Sequence, residues 1–455
     1  MTKKDVGRDL TQGPVFNTLL TFAVPMVMTS LIQQIYSMVD LMVIGQFVGN
    51  TGTVGVSVGG EYADLVAPIA MGFSSGGQIF IAQLAGAGDT KKVKETVGTL
   101  LTFMMGLAAL LTIFGIAGCV PLLNLLNCPE EAFSQAVIYM IITSIGIPFI
   151  FGYNAVNGVL CGMGESTKPM FFISVAAIVN VVLDLVLVAA FGMGAAGTAI
   201  ATMLSQFGSF LAALIYLYKK RERFDFSFSR SYFVIKKDLL MVILRLGIPQ
   251  VVRSMLVRIS MLWVTSSINA YGLIVSTTNS VGNKIQKFAD IFTQGVNSAS
   301  AAVIGQSLGA RKTDRARKTV WVTLAMTMAC ATAVALCCIF IPEQLFGIFT
   351  TDETVIAMGA VFLQIMIIHF YASAFIGPFQ AMVTGCGFVS LGFVIGILDG
   401  VVCKIGLSLI FVNILGMGYE GYFWGIACSR ILPGLLCFAY FLSGKWKTRK
   451  LLADT

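Results

Sequence analysis

The chain has 455 residues, 57% of them hydrophobic and only 11% charged, and its mean hydropathy is +0.86. No water-soluble domain of this length has core enough to hide so much apolar surface, so the composition excludes a soluble enzyme or binding module and indicates a polytopic membrane protein. A net charge of +8 raises nucleic acid as a partner, but the placement of the basic residues assigns that charge to membrane topology instead.

Residues 1–13 carry Lys3, Lys4 and Arg8 without a short apolar region and small-residue cleavage site, so no removed signal peptide is expected. The first span, 15–44, is apolar yet contains Pro25, Gln33, Gln34, Tyr36 and Asp40. A lone carboxylate at bilayer depth costs at least about 2.5 kcal/mol, so Asp40 requires a partner. Further spans are expected at 62–84, 97–120, 136–160, 170–191 and 198–218. A basic, Ser- and Phe-rich stretch at 219–238 has no apolar run long enough to cross and reads as a surface linker. Six more spans follow at 239–268, 273–304, 320–341, 355–379, 388–412 and 422–442. The eighth is unusually polar, with Asn279, Asn283, Lys284, Lys287, Asp290 and Gln294. The ten cysteines form no C-x-x-C pair and read as small core residues rather than disulfides or metal ligands.

In this twelve-span arrangement 23 of the 30 Lys and Arg fall on one side, in the two termini, the linker and alternate connections, and none falls in the opposite connections. The positive-inside rule therefore places both termini and the linker in the cytoplasm.

The sequence also repeats. Pro25 recurs as Pro249; Gln83, Gly86 and Ala87 as Gln306, Gly309 and Ala310; Gly162 and Gly164 as Gly385 and Gly387; and Gly192, Met193, Gly194 and Gly197 as Gly416, Met417, Gly418 and Gly421, all at an offset of 223 or 224. Four ordered clusters at one offset indicate two homologous halves, 1–218 and 239–455, joined by the linker 219–238. The expected fold is thus all-α, twelve transmembrane helices in two parallel six-helix repeats, with a substrate site near the midplane between the halves.

Asp184, on the fifth span, is the expected partner of Asp40, because both acids lie near the outer ends of outward-running spans. Asn180 is one turn from Asp184 on the same face, and Gln33, Tyr36 and Asp40 share a face of the first span. Such a group suits uptake of a proton or a sodium ion, the latter held by Asp40, Asp184 and Asn180.

With its two halves, Gln83 and Gly86-Ala87-Gly88-Asp89 after the second span, and Gln306, Leu308-Gly309-Ala310 and Arg315-Ala316 after the eighth, the chain resembles the multidrug and toxic compound extrusion family over nearly its whole length. The resemblance implies a cation-coupling site in the N-terminal half, as in the bacterial and archaeal branch, formed by Asp40, Asn157, Asn180, Asp184 and Thr202. Counting along the fourth span puts Asn157 deeper than the acids, a difference that a kink at Pro148 would reduce. The repeat provides an internal control: Asp40 maps to Val264 and Asp184 to Ser408, so the C-terminal half lacks this site.

Gln33, Gln34, Asn154 and Arg253 are expected along the substrate path, and Pro25 as a hinge. His369, the single histidine, reads as packed or hydrogen-bonded rather than a proton relay, because no acid accompanies it in its span. Arg253, Arg258, Lys284, Lys287 and Lys404 outnumber Asp290 and Asp399 in the C-terminal spans, and a Lys287–Asp290 pair is the expected match.

The expected function is a proton- or sodium-coupled antiporter that exports amphipathic organic compounds, cationic or zwitterionic, by alternating access. It is expected as a monomer in the plasma membrane of a prokaryote, embedded in the lipid bilayer, with no nucleic-acid partner. No cofactor is expected and no enzymatic activity, since no Walker loop, metal-ligand cluster or nucleophilic triad is present. A flippase for an anionic lipid-linked precursor, favoured by the basic C-terminal residues, and a channel or structural component are the alternatives.

Overall fold

The structure is a computed structural model in which residues 9–220 and 232–451 are described, and these are helical nearly throughout, with no strand among them. The first half contains α1 (Val15–Phe47), α2 (Gly49–Ala87), α3 (Thr90–Ala117), a short α4 (Cys119–Leu125), α5 (Glu130–Gly162), α6 (Thr167–Asp184) and α7 (Gly194–Lys219). The second contains α8 (Lys237–Asn269), α9 (Leu273–Gly309), α10 (Thr313–Phe340), a short α11 (Pro342–Gly347), α12 (Glu353–Gly385), α13 (Val389–Ile397), α14 (Cys403–Leu409), α15 (Glu420–Cys428) and α16 (Ile431–Leu442). Among the described residues eleven helical stretches are long and apolar enough to cross a membrane, counting 389–414 and 420–442 as one each. The twelfth span is α9, amply long at 37 residues but polar through Lys284, Lys287 and Asp290.

The repeat is visible in the backbone itself. Positive φ occurs at Gly49, Gly88, Gly164, Gly192 and Gly194, and again at Gly272, Arg311, Gly387, Gly416 and Gly418, at the offset seen in the sequence. Each marks a helix end where the left-handed conformation releases the chain into a turn. Gly88 illustrates the device: its N–H bonds back toward Ala85, and the neighbouring Asp89 caps α3 by accepting from Lys92 N at 3.0 Å. The short α4 and α11, which the sequence reading did not anticipate, also correspond. So do two π-turns, Leu185–Ala190 after α6 and Ile410–Ile414 after α14.

The second span begins at Gly49, thirteen residues before the expected 62, and sequence alone misses this because a glycine-rich run reads as loop. Tertiary contact overrides propensity here. A Cβ on Gly59 would stand 2.7 Å from the Ala136 carbonyl oxygen of α5, so glycine is what lets α2 and α5 touch. Farther along the same crossing, a Cβ on Gly162 would lie 2.7 Å from Gln78 O, and the counterpart Gly385 repeats this against Ala301 O at 3.1 Å.

The chain divides into two compact units, offset from the halves cut at 218 and 239. One comprises Met28–Gly247; the other takes Leu10–Val27 together with Ile248–Thr455. Within the first unit α2, α5 and α7 pack together with α3 alongside, and within the second α9, α10 and α12 do the same. Helix α1 changes unit two residues after Pro25, and α8 changes unit one residue before Pro249. Of the expected linker, residues 221–231 lie outside the described ones.

The residues of the turn motif hold these exchanged openings. In the second unit Gln306 Oε1 accepts from Leu10 N at 3.0 Å, Lys312 Nζ donates to Thr11 O at 3.0 Å, and Arg315 donates to the carbonyls of Leu10, Gln12 and Gly13. In the first unit the segment preceding α8 is held on α3: Thr102 Oγ1 donates to Phe233 O at 3.1 Å, and Lys236 pairs with Glu95 at 2.6 Å. Arg315 and its neighbours thus do more than end a helix.

Candidate functional site

In the first unit the structure brings Asp40 and Asp184 together. Their carboxyl groups lie within hydrogen-bonding range of one another, yet Asp40 Oδ1 and both oxygens of Asp184 have no donor. Two ionised carboxylates can only accept, so the approach sets oxygen against oxygen and becomes favourable when a proton or a cation stands between them. Asp184 is fully buried and Asn180, four residues earlier on α6, is 1% exposed with both amide atoms unsatisfied. Asp184 also ends α6 where the π-turn Leu185–Ala190 begins, an irregularity that frees local backbone and frequently marks functional positions.

Tyr36 and Asp40 are one turn apart on α1, and Gln206 Nε2 on α7 donates to Tyr36 Oη at 3.3 Å. Thr202, one turn before Gln206, has a buried hydroxyl without a partner. Tyr139 on α5 has Asp40, Asp64, Asp184 and Tyr36 as its charged or ionisable neighbours. About one turn past the acids along α1 and the π-turn after α6, Val43, Ile44 and Val188 join Val56 and Ala195 in an apolar cluster. Gln206, Tyr139 and Asp64 escaped the sequence reading, although Gln206, a lone amide within a span and four residues after Thr202, was findable by helical spacing.

Two other expected residues bond within their own helix. Asn157 Oδ1 accepts from Cys161 Sγ at 3.4 Å, and Asn154 Nδ2 donates to Ile150 O at 2.8 Å, so both are engaged within α5. Gln33 and Gln34 are half-buried on α1, and Pro25 is buried within it. A sodium ion would find oxygen donors of the right hardness in Asp40, Asp184, Asn180 and Thr202.

The second unit holds a separate buried cluster. Arg253 Nη2 pairs with Asp399 Oδ2 at 3.1 Å, which places this residue in an ion pair. His369 Nε2 lies 3.2 Å from Asp290 Oδ2, 2.9 Å from Gln286 Nε2 and 3.4 Å from Ser373 Oγ. Arg430, at the start of α16, reaches Asp290 Oδ1 at 3.6 Å and Asp399 Oδ1 at 3.8 Å, and donates to Ser373 Oγ. His369 is packed and hydrogen-bonded as expected, with an acid contributed by α9 rather than by its own span. The expected Lys287–Asp290 pair is corrected: Asp290 pairs with His369 and Arg430, while Lys287 is exposed.

A sequence profile of the family described as MatE matches residues 25–186 and 249–432, two segments that begin at the repeated prolines and cover well over half the chain. The probable multidrug resistance protein YoeA of Bacillus subtilis is 27% identical over 344 residues, 74% of each chain. The probable multidrug resistance protein YpnP of the same organism is 26% identical over 452 residues, 98% of this chain and 99% of that one. Among solved structures, the outward-facing conformation of a multidrug resistance MATE family transporter of the MOP superfamily superposes with a TM-score of 0.91 at 22% identity, covering 99% of this chain and 100% of the other.

Proposed function

The chain belongs to the MatE family, and from that premise we propose that it is an antiporter that exports amphipathic organic compounds, cationic or zwitterionic, in exchange for a proton or a sodium ion. It is a multi-pass membrane transporter, and relatives that match most of its length are named for multidrug resistance. The observation that carries the coupling is the Asp40–Asp184 approach, three of whose four oxygens lack a donor. Like charges at this range repel, so the empty state carries strain that an inward-moving cation relieves. A group that changes charge on cation binding can bias one helix arrangement over another, which is the requirement for exchange.

The same features support alternating access. Helix α1 runs from one compact unit into the other next to Pro25, where a backbone hydrogen bond is missing, and Asp40 lies farther along the same helix. A change at Asp40 is thereby linked to a bendable joint. The clustering of Lys and Arg supports termini on the cytoplasmic face of the plasma membrane.

The test is transport in inside-out vesicles with the pH and sodium gradients imposed separately. Substrate accumulation that collapses when one of the gradients is dissipated is expected. Accumulation indifferent to both gradients would remove the antiporter reading.

A further inference from the structure

The repeat places the opening turns of α3 and α10 at equivalent positions, 223 residues apart, but their surroundings differ. In the first unit this face of α3 is a seat for residues 232–236. Gly98 leaves room where a Cβ would run into the Tyr232 carbonyl, Thr99 accepts from Lys236 N at 3.3 Å, Thr102 donates to Phe233 O at 3.1 Å, and Glu95 pairs with Lys236. In the second unit every one of these anchors is exchanged: Gly98 corresponds to Trp321, Thr99 to Val322, Thr102 to Ala325 and Glu95 to Lys318. None of the four replacements can hold a peptide in that way. Trp321 is 42% exposed, and Ala325 and Lys318 are exposed as well. A polar seat has become an apolar wall with a cation at its rim.

The segment that does pack at this end of the second unit, residues 443–451, enlarges the basic rim. It is fixed by Trp446, whose Nε1 donates to Phe441 O at 3.0 Å and whose ring stacks on Phe441 at 5.9 Å, and by the buried Leu451. Phe441 in turn meets Trp321 at 5.7 Å, so three rings run in a row from α10 to the segment. Lys447 lies over the Trp446 ring at 5.7 Å, and Lys445 and Lys450 are exposed beside it. On α10, Arg317 is one turn before Trp321 on the same face, with Lys318 next to it. None of these five cations makes an ion pair with a carboxylate among the described residues.

An exposed tryptophan beside basic side chains at the end of a span is suited to the headgroup level of a bilayer, where aromatic rings sit between water and hydrocarbon. A soluble anion would meet the cations and leave the wall bare, whereas a zwitterionic lipid would cover the wall and bring no net charge to the cations. A lipid with an acidic headgroup satisfies both. We propose that α10 and residues 443–451 bind an anionic phospholipid of the leaflet at that end, its phosphate among Arg317, Lys318 and Lys447 and an acyl chain along Trp321 and Ala325. The second unit then takes from the membrane the cover that the first takes from its own chain.

The experiment reconstitutes the full-length chain in phosphatidylcholine vesicles and follows tryptophan emission as brominated phosphatidylglycerol or brominated phosphatidylcholine is added. The difference between wild type and Trp321→Phe isolates the signal of Trp321. Per mole of lipid, the anionic quencher is expected to act on Trp321 about fivefold or more strongly than the neutral one. Arg317→Gln combined with Lys318→Gln and Lys447→Gln should lose that preference, and Lys318→Glu alone, which restores the charge found in the first half, should weaken it. Equal quenching of the wild type by the two lipids would overturn the proposal, as would an undiminished preference in either variant. Loss of the preference on adding glycerol phosphate would overturn it too, because the site would then be one for a soluble phosphate. A Trp321 shielded from both lipids in a chain that cross-links as a dimer would assign the face to a second copy and equally refute the lipid site.

Discussion

Replacing Arg430 by methionine tests whether the buried cluster of the second unit is held together by one shared cation. The guanidinium lies 3.6 Å from Asp290 and 3.8 Å from Asp399 and donates to Ser373. Methionine keeps much of the apolar length, so the loss is mainly electrostatic. Stripping one partner from a buried ion pair costs about 3–5 kcal/mol. Here Asp290 keeps His369 at 3.2 Å and Asp399 keeps Arg253 at 3.1 Å, and neither acid is left bare. That places the expected loss at the lower end, about 3 kcal/mol. The assay is thermal unfolding of the detergent-solubilised protein, with Asp290→Asn and the double variant measured alongside. Because both residues belong to one network, the double variant should be less damaged than the sum of the singles, by a coupling of about 0.5–3 kcal/mol. A wild-type melting point for Arg430→Met, or strict additivity in the double variant, would refute the shared-cation account.

Asp40→Asn and Asp184→Asn should each yield a folded protein that binds substrate but fails to concentrate it in vesicles; coupled efflux at the wild-type level in both would remove the acid pair from the mechanism. Pro25→Ala should insert and bind the cation normally while efflux slows, because it restores the hydrogen bond where α1 changes unit; an unchanged efflux rate would mean that no bend is needed. Gly162→Ala places a methyl 2.7 Å from Gln78 O and should cost about 1–3 kcal/mol as α5 is forced off α2, measured as a drop in melting point. Arg315→Gln removes donors to three carbonyls, and amide exchange over residues 10–18 should accelerate by about tenfold or more, which an unchanged exchange pattern would contradict.

The acid pair was legible in the sequence because Asp40 and Asp184 each stand alone among the apolar residues of a span, where the cost of a carboxylate demands a partner. The repeat was legible because helix ends need glycine at fixed backbone positions, and those survive where packing residues drift. The second cluster was not legible, for a related reason. Asp290, His369, Asp399 and Arg430 come from four different spans, no spacing rule connects them, and a search confined to the span of His369 could find no acid. The exchange of the α1 and α8 openings was hidden as well, since helical periodicity runs unbroken through Pro25 and Pro249. Gln206 marks the opposite case, a signal present in the spacing that depth-matching of acids did not use.

The exchanged opening of α1 bears on the order in which this protein can be completed. Leu10 N is bonded to a glutamine 296 positions downstream, and Lys312 and Arg315, which hold the carbonyls around it, are later still. During synthesis α1 therefore enters the membrane long before the groups that secure its first turns exist. A chain stalled in the linker would present the polar backbone of residues 10–13 with only water to satisfy it, while a finished chain conceals it. Nascent and truncated copies are in this way chemically distinguishable from mature ones at their N-terminal segment, and two separately made halves would each need the other's opening helix to close their own fold.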